Sequence, residues 1–506
     1  MPRFYCRIVG ATMFALSFVA SLSADVILAP LFRDGAVLQR EQSLPVWGKA
    51  SPGEKVLVRF HRQSAETVAG TDGRWKVVLE PEKACSDAAE LIVAGTNTVH
   101  VRDVLVGDVW LCSGQSNMEF RVSQARDAER ETAAATMPLI RHFKIPHLVA
   151  EKPADDCPGK WEPCSPATVG EFTAVGYFFA KDLHARLGVP IGLVNSSWGG
   201  TQIEGWMNAS AVASDPSAKA IDQRWRQVLA DYPGKLEKYE RDLAKWNKDE
   251  AAARASGKDY KKRKPVAPEG SGSRWLPSGM FNAMIAPLAP AAFRGVLWYQ
   301  GEANAARYEE YRSLFPGMIR QWRESFGRPE LPFYFVQLAN LERRADTSGS
   351  QWAFQREAQA AALTLPATGM AVTIDIGDAT NIHPTNKQEV GRRLALIARA
   401  QLFGEPVEFT GPVFEGAQRV GSSLRVTFVH AAGLRMDKSV AAGFEVAGED
   451  RKFVPAVVTV DGEALLLSAP GVSAPVAVRY AWGNNPSISL FNGAGLPAAP
   501  FRSDRW

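Results

Sequence analysis

A chain of 506 residues is longer than one typical domain, so roughly two to four domains are expected. Hydrophobic residues make up 46% and charged residues 22%, a globular composition that excludes global disorder and a fibrous repeat. The formal charge of +4 is small for this length and argues against a nucleic-acid partner, which calls for a concentrated basic face.

The N-terminus reads as an export signal over residues 1–24. Arg3 and Arg7 supply positive charge, Ile8 to Val19 form an apolar run, and small residues follow at Ala20, Ser21, Ser23 and Ala24, so cleavage is expected near Ala24. The competing reading, a retained membrane anchor, is weakened because the run is short for a bilayer span. A secreted protein, periplasmic or extracellular, with no stable membrane insertion after cleavage, is the expectation. The mature chain would keep Cys85, Cys112, Cys157 and Cys164. Cys157 and Cys164 bracket CPGKWEPC, whose Pro and Gly favour a turn, and an oxidising compartment leaves a disulfide between them open. Zinc is disfavoured, since the spacing is not that of a C-x-x-C knuckle and no His lies nearby.

Residues 25–103 carry short strand-like runs, among them LPVWG (44–48), KVLVRFH (55–61) and RWKVVLE (74–80), separated by Gly and Pro. That is the pattern of a small β-sandwich-like domain. From 104 to 404 strands alternate with helices, which argues for an α/β domain with a parallel sheet covered on both faces. Its strands are WLCS (110–113), LIRHF (139–143), IGLVNS (191–196), GVLWYQ (295–300), FYFVQL (333–338) and MAVTIDI (370–376). Helices are expected after Thr173 to Leu187, and over Tyr308–Phe326, Gln351–Leu363 and Asn386–Leu402. A helical insertion at about 210–272 interrupts this order. Ile221, Trp225, Val228, Leu229 and Tyr232 fall at helical spacing, as do Leu236, Tyr239, Leu243 and Trp246, and the helices end near Gly257. The KKRK run at 261–264 reads more readily as a solvated basic loop than as a site for an acidic polymer. Residues 405–506 return to strands, a C-terminal β-domain.

The segment carrying the most chemistry is GDVWLCSGQSNMEF, 107–120. A buried strand ends at Ser113, and a glycine-containing turn presents Ser116 where α/β proteins bind ligands. The turn does not match a G-x-S-x-G elbow, because residue 118 is Met. Alone, a serine there reads more readily as a helix N-cap. Among the seven histidines, His383 stands apart: it lies in the polar loop DIGDATNIHPTNK after the sixth strand, where it can reach a serine on the first strand's loop. Its position alone leaves a catalytic and a non-catalytic role equally open.

Four segments together resemble the SGNH hydrolases, in particular the sialate O-acetylesterase family of carbohydrate esterases. SGQSNME holds the family's nucleophile, Ser116; NSSWGGTQIEGW matches its glycine block at Gly199 and Gly200, followed by Glu204 and Trp206; GVLWYQGEANA matches its asparagine block at Asn304; DIGDATNIHPTNK matches its histidine block at His383. The blocks occur in family order, and the flanking β-domains share the resemblance. It implies a serine esterase that removes O-acetyl groups from carbohydrate, sialic acid esters or acetylated plant glycans, through an acetyl-serine and without metal or organic cofactor. It also implies an oxyanion hole made by the Ser116 N–H, a glycine N–H and the Asn304 amide, with Gly200 favoured over Gly199.

One departure stands out. Many SGNH enzymes place an Asp three residues before the catalytic His, and here that residue is Thr380. Asp378 in the loop is favoured as the orienting carboxylate over Asp375 in the expected strand, and a Ser116–His383 dyad is the alternative. Trp198, Trp206, Trp298 and Tyr299 flank the blocks, divided between sugar stacking and core packing. Gln300 and Glu302 are expected to hold loops. Two rival readings are a non-catalytic carbohydrate-binding protein and a glycoside hydrolase using Glu204 and Glu302.

Overall fold

The computed structural model describes residues 25–342, 350–440 and 442–506; the expected export signal lies outside the described residues. Seven strands form the central sheet: β1 (Thr98–Gly114), β2 (Met137–Lys144), β3 (Trp161–Cys164), β4 (Ile191–Ser197), β5 (Gly295–Tyr299), β6 (Phe333–Val336) and β7 (Thr368–Ala371). Their order is β3-β2-β4-β1-β5-β6-β7. The six expected strands pair with one another in parallel. β4, β5 and β6 are buried along their whole length, which is why they read as continuous apolar runs rather than alternating ones.

The edge strand β3 is an addition. It pairs antiparallel with β2 and occupies the stretch that the sequence marks as a cysteine-bracketed turn. Cys157 and Cys164 are buried free thiols in separate apolar clusters, so the open disulfide is resolved against. The boundary placed at 103–104 falls within a single strand. The first half of β1 pairs antiparallel with strand Cys85–Ala94 of the N-terminal β-region, and its second half lies between β4 and β5. Strand continuity therefore couples the two regions.

Helices cover both faces. The main ones are α1 (Ser116–Glu119), α2 (Ala174–Leu187), α3 (Ala218–Ala255), α4 (Tyr308–Ser325), α5 (Gln351–Ala360) and α6 (Lys387–Gln401). Thr173 caps α2 by accepting from the Gly176 N–H at 3.4 Å, and Gly188 ends it with φ of 67°. On one face α2 and α6 bury Val175, Leu183, Leu394 and Ile397 against Leu193 and Tyr334. On the other, α4 buries Leu314, Phe315 and Trp322 with Trp206 and Trp298.

The insertion differs from its expected form. It is one helix of 38 residues, α3, continuous through Pro233, and only Ile221 on it is fully buried. Ion pairs four residues apart, such as Asp222–Arg226, Asp231–Lys235 and Glu250–Arg254, line its solvated surface. The KKRK run is exposed, with the Lys264 ammonium over the Trp246 ring at 5.6 Å.

Residues 372–376 also depart from expectation. They leave the sheet after Ala371, and Val372 and Ile374 pack into the apolar cluster of the C-terminal β-region with Val426, Val446 and Tyr480. Two four-stranded antiparallel sheets and a two-stranded one build that region.

Candidate active site

Neighbouring strands set most of the site. β1 sits between β4 and β5, so the segments that follow these strands open side by side at the carboxyl end of the sheet. Gly114 ends β1 with φ of 132°, and a Cβ there would lie 2.2 Å from the Tyr299 carbonyl oxygen of β5. Only glycine permits that approach. Gln115 then donates its N–H to the same carbonyl at 2.9 Å and accepts on Oε1 from the Gly301 and Ala303 N–H groups at 3.3 Å each. Gln115 is the cap residue of α1, and Ser116 is the first residue inside it.

The Ser116 hydroxyl is therefore free for chemistry. It lies 2.8 Å from His383 Nε2. For Nε2 to accept the Ser116 proton, the neutral imidazole must carry its own proton on Nδ1. Burial, and then the positive charge of Lys387, hold the His383 pKa below the usual imidazole value, so the ring is neutral and basic at neutral pH.

The glycine turn lies against the nucleophile: a Cβ on Gly199 would be 3.2 Å from Ser116 Cβ. The Gly199 N–H donates to Glu119 Oε2 at 2.8 Å. Gly200 has φ of 73°, and its N–H has no protein acceptor among the described residues. Arg274 fixes the turn from outside by donating to the Gly199 carbonyl at 3.1 Å. Asn304 is fully buried. Its Oδ1 accepts from Gln300 Nε2 at 2.7 Å and from the Ile203 N–H at 3.0 Å, and its Nδ2 donates to Glu204 Oε2 at 3.0 Å, so one amide proton is committed and one remains.

The carboxylates fall differently from expectation. Asp378 Oδ1 accepts from the Thr380 N–H and hydroxyl at 2.8 Å each and from the Asn381 N–H at 3.2 Å. These bonds close a local turn and hold the carboxyl below its usual range; they do not bring Asp378 to the His383 ring. Asp375 is not in a strand. It sits in a turn and takes a two-pronged ion pair with Arg393 at 2.6 and 2.7 Å. Glu204 is engaged by Arg307 at 2.8 Å as well as by Asn304. Glu302 accepts from Asn117 Nδ2 at 2.5 Å. Neither glutamate is placed as a free acid–base partner. Of the flanking aromatics, Trp206, Trp298 and Tyr299 are core residues, whereas Trp198 is half-buried and stacks on His147 with ring centres 4.5 Å apart.

Four residues near the site were not singled out from sequence: Asn117, Glu119, His147 and Lys387. Glu119 Oε1 meets His147 Nε2 at 2.6 Å beside the glycine turn. Burial would raise the Glu119 carboxyl, but His147, Lys144 and the Gly199 N–H outweigh it and hold it low. Lys387 carried a readable signal. A lysine opening a helix is unfavourable with the helix dipole, so something else must hold it there.

A serine at the end of a central parallel strand, bonded to a loop histidine with a glycine turn and a buried amide beside it, belongs to an SGNH-type serine hydrolase. Comparison with known proteins agrees. A family model described as "Carbohydrate esterase, sialic acid-specific acetylesterase" matches residues 106–233 and 265–399. The sialate O-acetylesterase of Mus musculus is 31% identical over 92% of this chain and 92% of its own length. The Homo sapiens protein of that name is 30% identical over 94% and 91%. The crystal structure of a carbohydrate acetylesterase from Xanthomonas citri superposes with a TM-score of 0.81 at 41% identity, covering 95% of this chain and all of that one. The chain belongs to the sialate O-acetylesterase family of carbohydrate esterases, and it is an esterase acting in carbohydrate O-deacetylation.

Proposed function

We infer that this enzyme hydrolyses O-acetyl esters of sugars by two-step acyl transfer, with Ser116 as nucleophile and His383 as general base. The observation that carries the reading is the 2.8 Å contact between His383 Nε2 and Ser116 Oγ. His383 takes the hydroxyl proton as Ser116 attacks the acetyl carbonyl, then gives it to the departing sugar oxygen. Water, deprotonated by the same ring, releases acetate from the acetyl-serine. The tetrahedral oxyanion is stabilised by the Ser116 N–H, the Gly200 N–H and the uncommitted Asn304 amide proton. Gly200 is favoured over Gly199 because Glu119 already takes the Gly199 N–H.

The pair works as a dyad, since Asp378 is spent on its own turn. The buried or paired states of Glu204 and Glu302 speak against glycoside cleavage by two carboxylates. The substrate is an acetylated sialic acid, as the relatives' names suggest, or an acetylated plant glycan. We place the enzyme outside the cytoplasm on the strength of the apolar run Ile8–Val19. Among the described residues no helix is long and apolar enough to cross a membrane. Acetate release from a panel of acetylated sialic acids and acetylated plant glycans tests the reading. Acetate without new reducing ends is the expected result; reducing sugar without acetate would refute it.

A further inference from the structure

His383 belongs to a loop that starts at the far margin of the sheet, beyond β5 and β6, yet its ring must sit on a serine at the end of β1. Among the described residues no carboxylate bonds to the ring, and the loop is held in register through its backbone. Asn117, the residue after the nucleophile, does this directly: its Nδ2 donates to the Ile382 carbonyl, one residue before His383, at 3.0 Å. The same Nδ2 donates to Glu302 Oε1 at 2.5 Å, and Lys387 Nζ donates to Asn117 Oδ1 at 2.6 Å. Asn117, Glu302 and Lys387 are all buried. The amide is thus gripped from both ends and has one orientation, because turning it over would set Nδ2 against the ammonium and Oδ1 against the carboxylate. Lys387 opens α6, immediately behind the histidine loop, and its ammonium also faces the rings of Phe120 and Tyr299 at 4.8 and 5.3 Å.

We propose that Asn117, locked between the buried Lys387 and Glu302, is the positioning residue that clamps the histidine loop onto the nucleophile helix. The proposal rests on Ser116 and His383 being the catalytic pair. It assigns the holding of His383 to contacts on the loop backbone rather than on Nδ1. The titratable groups facing Lys387 are Glu302, Tyr299 and His383. Burial pushes the Lys387 amine down to about 7 against the pull of Glu302, so the ammonium is present below neutrality, where it opposes protonation of His383.

The test uses the full chain with an aryl acetate, kcat being expressed per reactive serine counted with a fluorophosphonate. Asn117→Asp keeps the shape but loses both donations. It should lower kcat about 100-fold with KM little changed, the loss expected when reacting groups are misplaced by about an ångström. Lys387→Met should also lower kcat, and it should move the acid limb of kcat/KM to higher pH, since His383 then protonates more readily. Folded variants with wild-type kcat per serine and an unmoved acid limb would overturn the clamp. Should Lys387→Met not fold, the isosteric Asn117→Asp decides alone: wild-type kcat refutes the clamp, and a 100-fold loss supports it. A wild-type protein inert toward the ester, or an active Ser116→Ala, would instead overturn the esterase reading.

Discussion

The nucleophile turn and the histidine loop meet at the Ser116–His383 hydrogen bond but are built on opposite principles. Only Gln115 separates Ser116 from the end of β1, and the turn's backbone is bonded to the adjoining strand β5. His383 instead lies on a loop running from Ala371 to Asn386, which leaves the sheet's margin, touches the C-terminal β-region through Val372 and Ile374, and returns to α6. The first is positioned by backbone bonds to the neighbouring strand and by the close approach that Gly114 permits. The second is positioned by side chains, Asn117 at the Ile382 carbonyl and Arg393 at Asp375, and each can be cut singly.

The largest effects should come from the two residues where the regions meet. Ser116→Ala and His383→Ala should each abolish turnover of an aryl acetate while leaving the thermal transition near that of the wild type. The contrast would fail if either purified variant kept wild-type turnover. Next, Asn304→Ala should lower kcat by about 10²- to 10³-fold, the usual loss for one oxyanion donor. An effect confined to KM would reassign Asn304 to ground-state binding. Its bond to the Ile203 N–H makes some loss of stability an accompanying result.

Asp375→Asn sharpens the comparison from the loop side. It removes the charge opposite Arg393, which is 5% exposed, and the pair's partial sharing with Glu389 limits the damage to about 3 kcal/mol. Denaturant unfolding should show this loss, with kcat per reactive serine largely kept. The smallest effect belongs to Asp378→Asn. The carboxylate caps an exposed turn, and an amide oxygen can accept the same N–H bonds, so turnover should fall by less than about tenfold. A loss of about 10⁴-fold, as in a working triad, would show that Asp378 reaches the ring during catalysis.

The sequence by itself determined the parts governed by short-range rules. Six buried strands are legible because parallel strands covered on both faces are continuous apolar runs, and α2 because its cap and terminal glycine are local. The four motif segments follow strands of one parallel sheet, so Ser116, Gly200, Asn304 and His383 could be put forward together as candidates from the sequence and its family resemblance alone. Only the tertiary structure decided matters of distance between buried polar groups. From sequence Asp378 reads as a better partner for the histidine than Asp375, yet in the structure Asp375 is paired with Arg393 and Asp378 closes its own turn. Asn117 and Lys387 lie in segments quoted for other residues, and their roles depend on Glu302, far away in sequence. Cys157 and Cys164 look like a pair across a turn, but strand β3 sends them into different cores. Buried charges and amides take whichever partner the fold brings within bonding distance, and nothing in a linear pattern records that distance.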